Sequence, residues 1–213
     1  MTTIEHAFLG VDAVLATGLT RWYGWKLATV AGVIATLPDW DGLTLLWSVN
    51  LFDTAHRCWG HSIFVCVLLS ALLASGDYRF DGMSRIGRFF LKRFQGKGMA
   101  PDTFVLRNHF SWAATLVWVT VGVFAGFTHL IGDIIVSGHQ SLQNWGIKVL
   151  WPLSDHEVAY PLIPWGDVGV SVIFSLGLFA MLRWQTRVRP IAIVTLVAVA
   201  LYVAFRGFVI PFQ

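Results

Sequence analysis

Two stretches of this sequence, 110–137 and 190–210, are almost free of charged side chains. Each reaches the ~20 residues with which a helix crosses the hydrocarbon core of a bilayer. A soluble fold would have to cover such segments with polar groups, and this chain is short of them. Of its 213 residues, 56% are hydrophobic and only 13% charged, where soluble domains run to about a quarter charged. The outer surface of the folded chain is therefore expected to face lipid. Disorder, a coiled coil and a disulfide-rich scaffold are excluded by the same figures.

Four shorter apolar stretches accompany the long pair, at 7–19, 25–37, 59–74 and 168–182, and Asp12 sits inside the first. The expectation is an all-α, polytopic membrane bundle of about six apolar segments, some short or re-entrant. It forms a single integral-membrane domain over 1–213, with a basic cytoplasmic loop at 75–108 and an irregular outer loop at 138–167. Residues 1–6 contain Glu5 and no Lys or Arg, so the positive start of a signal peptide is missing. Cys58 and Cys66, if on one helix, would stand about 12 Å apart at 1.5 Å per residue, too far for a disulfide.

The basic residues are sorted along the chain. Arg79, Arg85, Arg88, Lys92, Arg93, Lys97 and Arg107 fall in 77–107, with Arg183, Arg187 and Arg189 in 183–189, and Arg21 and Lys26 in the first turn. With six spans all three segments lie on one side, which the positive-inside rule makes cytoplasmic. The sequence pI of about 9.1 then reports topology, and no nucleic-acid partner is expected. Around 86–94, Ile86, Phe89, Phe90 and Phe94 alternate with Arg88, Lys92 and Arg93, the pattern of a surface helix lying against anionic headgroups.

Histidine and aspartate collect on the opposite side. His6, His56, His61, His129, His139 and His156 fall at non-cytoplasmic helix ends or in outer loops, and only His109 falls at a cytoplasmic end. Asp39, Asp41 and Asp133 join the first group. His129 and Asp133, four apart, share a helix face inside an apolar run where ionisable groups are costly unless paired or functional. The alternative for that pair is a hydrogen bond that ties helices together. Asp39 and Asp41 follow Leu37-Pro38, where two carboxylates can point at one cation; the alternative is an N-cap for the segment 42–47. His56 and His61 flank Arg57, a cation able to stabilise a phosphate or oxyanion. Asp12, deeper in the first stretch, could orient a ligand, while His139 and His156 are expected at the surface. Ser62 beside His61 suits a nucleophile less well than metal-activated water suits the neighbouring His and Asp.

The order His6, Leu37-Pro38-Asp39-x-Asp41, His56-Arg57-x-x-x-His61-Ser62, His129-x-x-x-Asp133, then Gly146 and Leu150-Trp151-Pro152 resembles the bacterial YdjM/YbcI-type family. Those inner-membrane proteins are described as metal-dependent hydrolases. The resemblance covers most of the chain to about Asp155. It implies a polar core of His6, Asp39, Asp41, His56, His61, His129 and Asp133. The family pattern usually has Leu-Pro-Asp-hydrophobic-Asp and His-Arg-Gly-x-Thr-His-Ser. Here Trp40 fills the hydrophobic position, and Cys58 and Gly60 stand where Gly and Thr are common.

Together these readings point to a multi-pass protein of the bacterial inner membrane. Its expected activity is that of a hydrolase with one or two divalent ions, zinc first, among its seven His and Asp ligands. Asp41 is expected as a general base and Arg57 as the stabiliser of developing negative charge. Membrane lipids are its surroundings, and a lipid or lipid-linked ester or phosphoester is the expected substrate. A metal-ion or proton transporter, or a structural protein held by a metal or His–Asp network, are the alternatives.

Overall fold

The computed structural model describes residues 1–94, 109–138 and 145–208. Lys97, Arg107 and His139, named above from the sequence, lie outside the described residues. Each apolar stretch becomes a helix: α1 (Thr3–Thr17), α3 (Trp25–Ala35), α5 (Ile63–Phe80), α7 (Trp112–Ile135), α8 (Val168–Arg183) and α9 (Val188–Phe208). Short helices α2 (Thr20–Tyr23), α4 (Val49–Ala55) and α6 (Gly82–Phe94) and a 3-10 segment, Leu37–Leu46, link them. Among the described residues there is no strand, only isolated bridges at Gly138–Pro164 and Ile147–Val158. The protein is a helical membrane bundle.

Three helical stretches, Ile63–Phe80, Trp112–Ile135 and Gln185–Phe208, are long and apolar enough to cross a membrane. The helices α1, α3 and α8 are shorter, at 15, 11 and 16 residues, and pack among the long ones. Contacts run from α1 to α3, α7 and α9, from α7 to α3 and α5, and from α8 to α9. Outward-facing Leu116, Phe124, Leu176, Phe179 and Leu201 are exposed, as a lipid-facing surface requires.

Small residues set how closely the inner helices approach. A Cβ on Gly10 of α1 would stand 2.7 Å from the Ala31 carbonyl oxygen of α3, and one on Gly126 of α7 would stand 2.6 Å from Ser70 Oγ of α5. Such contacts let backbones meet where lipid supplies no hydrophobic drive for association. The core between them holds Leu27, Val30, Ile34, Ala74, Ala125 and Trp118.

One end of the bundle is basic. The α1 helix stops at Gly18 in the left-handed conformation, beside the start of α9, where Arg189 Nε donates to Ala16 O at 3.1 Å. Lys26 at the start of α3 pairs with Asp81 at 3.2 Å. The expected amphipathic helix is α6, whose Ile86, Phe89 and Phe90 are exposed. Cys58 lies in the turn before α5 and not on that helix; it and Cys66 are free and buried.

The opposite end carries the polar residues. Thr2 and Glu5 form a capping box at the start of α1, and Ser62 caps α5 by accepting from Val65 N. The outer loop folds over this end: Tyr160 and Leu162 donate to the last carbonyls of α7 at 2.9 and 3.0 Å, Ile63 N donates to Val149 O at 2.8 Å, and Lys148 N to Arg57 O at 3.0 Å. Ile147 and Ile163 are fully buried beneath it.

Candidate metal centre

Three elements deliver His and Asp to one point. Asp39 comes from the 3-10 segment, His61 from the turn before α5, and His129 and Asp133 from successive turns of α7. One ligand atom from each lies within 4.8 Å of all the others. His61 Nε2 is 3.1 Å from His129 Nε2 and 3.1 Å from Asp133 Oδ2. Asp39 Oδ1 stands 3.7 Å from the first and 3.5 Å from the second. Both histidines are fully buried, and Asp133 nearly so.

Each imidazole is held by its other nitrogen. His129 Nδ1 faces the Ala35 carbonyl at 2.6 Å, so it donates there and leaves the Nε2 lone pair inward. His61 Nδ1 faces Asp41 Oδ2 at 3.0 Å. A carboxylate or carbonyl behind a histidine is the usual support of a metal ligand. Two converging imidazole nitrogens and two carboxylates thus fit a divalent ion.

Asp41 stands behind the cluster, not in it. Its Oδ1 meets His56 Nδ1 at 2.8 Å, and its Oδ2 accepts from Gly60 N at 2.9 Å as well as from His61. Both oxygens accept hydrogen bonds and the side chain is fully buried outside the group of four, so in place of the expected part of ligand or general base Asp41 positions His56 and His61. Burial favours the neutral acid, but His56, His61 and the Gly60 amide outweigh it and bring the Asp41 carboxyl down to about 2. Burial alone would lower the His61 pKa, yet hydrogen bonds to Asp133 and Asp41 override it and push it up to about 9.

The remaining sequence candidates sit around this centre. His6 stacks on His129 with ring centroids 3.6 Å apart and reaches Asp133 Oδ1 at 3.0 Å, so it orients a ligand from behind. His56, the C-cap of α4, lines a polar cavity of about 280 Å³ beside the cluster, together with Met1, Asp39, Arg57, Trp145 and Trp165. Asp39 and Asp41 lie inside the 3-10 segment, whose N-cap is Thr36, so neither caps the residues that follow. Ser62 spends its hydroxyl on a helix cap. Asp12 is buried further along α1, and His109 and His156 are exposed.

Arg57 adopts φ 61°, a left-handed conformation that costs a side-chain-bearing residue about 1–2 kcal/mol. Strain of this kind collects at functional sites. The turn throws the guanidinium back under the outer loop, 4.3 Å above the Trp145 ring and 3.6 Å from Asp133 Oδ2. Arg57 Nη1 also donates to the Trp145 carbonyl, while its buried Nε has no hydrogen-bond partner among the described residues.

A family model described as YdjM inner membrane protein matches residues 1–211. The chain belongs to the YdjM inner membrane protein family. No curated protein and no solved structure matches it significantly. Four of the His and Asp residues that carry the resemblance meet in the cluster, and two of the positions that depart from its pattern, Trp40 and Gly60, lie against each other. A Cβ on Gly60 would fall 1.9 Å from the Pro38 carbonyl oxygen and 3.0 Å from Trp40 Nε1. The large indole at 40 and the bare glycine at 60 therefore accommodate each other within the YdjM site.

Sequence reasoning missed several participants. The Met1 amine lies 2.6 Å from Asp133 Oδ1, and Thr3 Oγ1 donates to Asp39 Oδ2 at 2.6 Å. Trp145 and Trp165 belong to the outer loop, whose aromatic content was the one available signal.

Proposed function

We propose that the protein is a membrane-embedded, metal-dependent hydrolase acting on a lipid or lipid-linked ester or phosphoester at the non-cytoplasmic face. The supporting observation is the meeting of Asp39, His61, His129 and Asp133 beside a cavity walled by a buried arginine. The two imidazoles with one of the carboxylates would hold a zinc ion and leave a position for water, with manganese or iron as the neighbouring choices. When bound, such an ion lowers the pKa of water to about 7 and polarises an ester oxygen.

The chain's own residues supply the rest. Arg57, charged and fixed over Trp145, neutralises negative charge developing on the substrate. His56, held through Nδ1 by Asp41, carries or gives up a proton at Nε2 for the leaving group. Met1, Thr3 and the Trp145 and Trp165 rings close the cavity around the head of the substrate. Arg21, Lys26 and Arg189 at the other end of the bundle support this choice of face, because the positive-inside rule makes a basic end cytoplasmic.

Hydrolysis of a chromogenic phosphodiester by purified protein tests this. Turnover that requires metal and falls about 100-fold or more in Arg57→Ala supports the reading. Metal-loaded protein that turns over no ester or phosphoester overturns it.

A further inference from the structure

The polar cavity has an apolar neighbour. A second cavity, of about 410 Å³, lies among α1, α7, α8 and α9, walled by side chains that include Leu9, Ile131, Ile135, Val199 and Val203. The two cavities share Met1. Its amine rests on Asp133 Oδ1, while its Sδ packs against Gly132, where a Cβ would come within 2.7 Å of the sulfur. Successive residues of α7 thus border different chemistries: Asp133 the polar cavity, Gly132 the apolar one. The residue common to both linings has an unbranched side chain with three rotatable bonds.

We infer that the apolar cavity holds the hydrocarbon chain of an amphiphilic phosphoester whose anionic head occupies the polar cavity. The inference rests on the hydrolase reading for the nature of the head, and it deepens that reading by naming the substrate class: a phosphoester of a long-chain alcohol or lipid. Three features select this occupant. The cavity adjoins the candidate centre across Met1, which lines both, so a chain seated there places its polar end beside the cluster. Arg57 and the Met1 amine offset the Asp39 and Asp133 carboxylates toward an anionic head. The lining is mostly aliphatic, and a chain entering sideways from the bilayer exchanges lipid contacts for protein contacts without exposure to water.

The test uses the full chain in phosphatidylcholine nanodiscs and two photoreactive probes. One is dodecyl phosphate bearing a mid-chain diazirine; the other is the same chain ending in a neutral alcohol. The phosphate probe is expected to label Ile131, Ile135, Val199 and Val203 and to be displaced by excess dodecyl phosphate. Ala200→Trp and Ala204→Trp, two exposed positions that border the cavity, should each cut that labelling by about tenfold while metal content stays unchanged. Equal labelling by the alcohol probe, labelling spread over outward Leu116, Leu176 and Leu201, or labelling indifferent to both tryptophans overturns the inference. Metal content and hydrolysis of the chromogenic phosphodiester are read alongside. Head-dependent labelling without either sustains the groove and overturns the hydrolase reading, whereas metal-dependent hydrolysis without groove labelling overturns the groove alone.

Discussion

His61 Nε2 and His129 Nε2 lie 3.1 Å apart in the buried centre of the bundle, each with its Nδ1 committed elsewhere. With His129 donating to Ala35 O, only a proton on His61 can bridge the two nitrogens. That proton and a metal ion compete for the same lone pair.

Metal binding should therefore depend on pH with a defined sign. The His61 pKa, raised to about 9, leaves the ring charged at neutral pH in the metal-free protein. Binding must expel one proton, so apparent zinc affinity should rise about tenfold per pH unit up to about pH 9 and level off above it. Calorimetric titrations in buffers of different ionisation enthalpy measure the released proton; none released at pH 7 contradicts the competition.

Asp41→Asn should weaken metal binding about 10–100-fold, the usual effect of losing the group behind a ligating histidine. The amide keeps the shape but loses the negative charge behind His61 and turns one of the two acceptor oxygens into a donor. Competition against a zinc chelator reads the affinity, and an unchanged value contradicts the supporting role of Asp41.

Arg57→Ala should spare metal content and depress turnover, because Arg57 lines the cavity without belonging to the four-ligand group. His61→Ala should lose both. Parallel metal analysis and phosphodiester assays separate the two variants. Loss of metal in Arg57→Ala would assign the arginine to the scaffold.

Gly60→Ala forces a Cβ into the Pro38 carbonyl, overpacking that costs about 1–3 kcal/mol, and should lower thermal stability and metal content together. Gly76→Ala, in α5 with nothing within 4 Å, should be neutral or stabilise by up to about 1 kcal/mol through helix propensity. Thermal melts in detergent compare the pair.

The helices and most of the cluster were legible in the sequence, and the reason is periodicity. Apolar length marked the spans, and a helix places residues four apart on one face, so His129 and Asp133 declared themselves. The ranks within the cluster did not. Asp41 was expected as a ligand, but its oxygens are claimed by the turn from His56 to His61, whose course depends on the left-handed Arg57 and on Gly60 lying against Pro38. Seven candidate ligands suggested one or two ions; stacking of His6 on His129 and the withdrawal of Asp41 and His56 leave one group of four among the described residues. Trp145 and Trp165 sit in irregular backbone with no period to read. Their contact with Arg57 and the cavity follows only from the fold of the outer loop.

Elemental analysis of the purified protein tests the central claim most directly. The wild type should carry about one zinc or other transition ion per chain, and the folded His129→Ala/Asp133→Ala double variant should carry none. A folded wild-type protein without metal, or a double variant that retains it in full, would contradict the assignment of Asp39, His61, His129 and Asp133 as a metal centre.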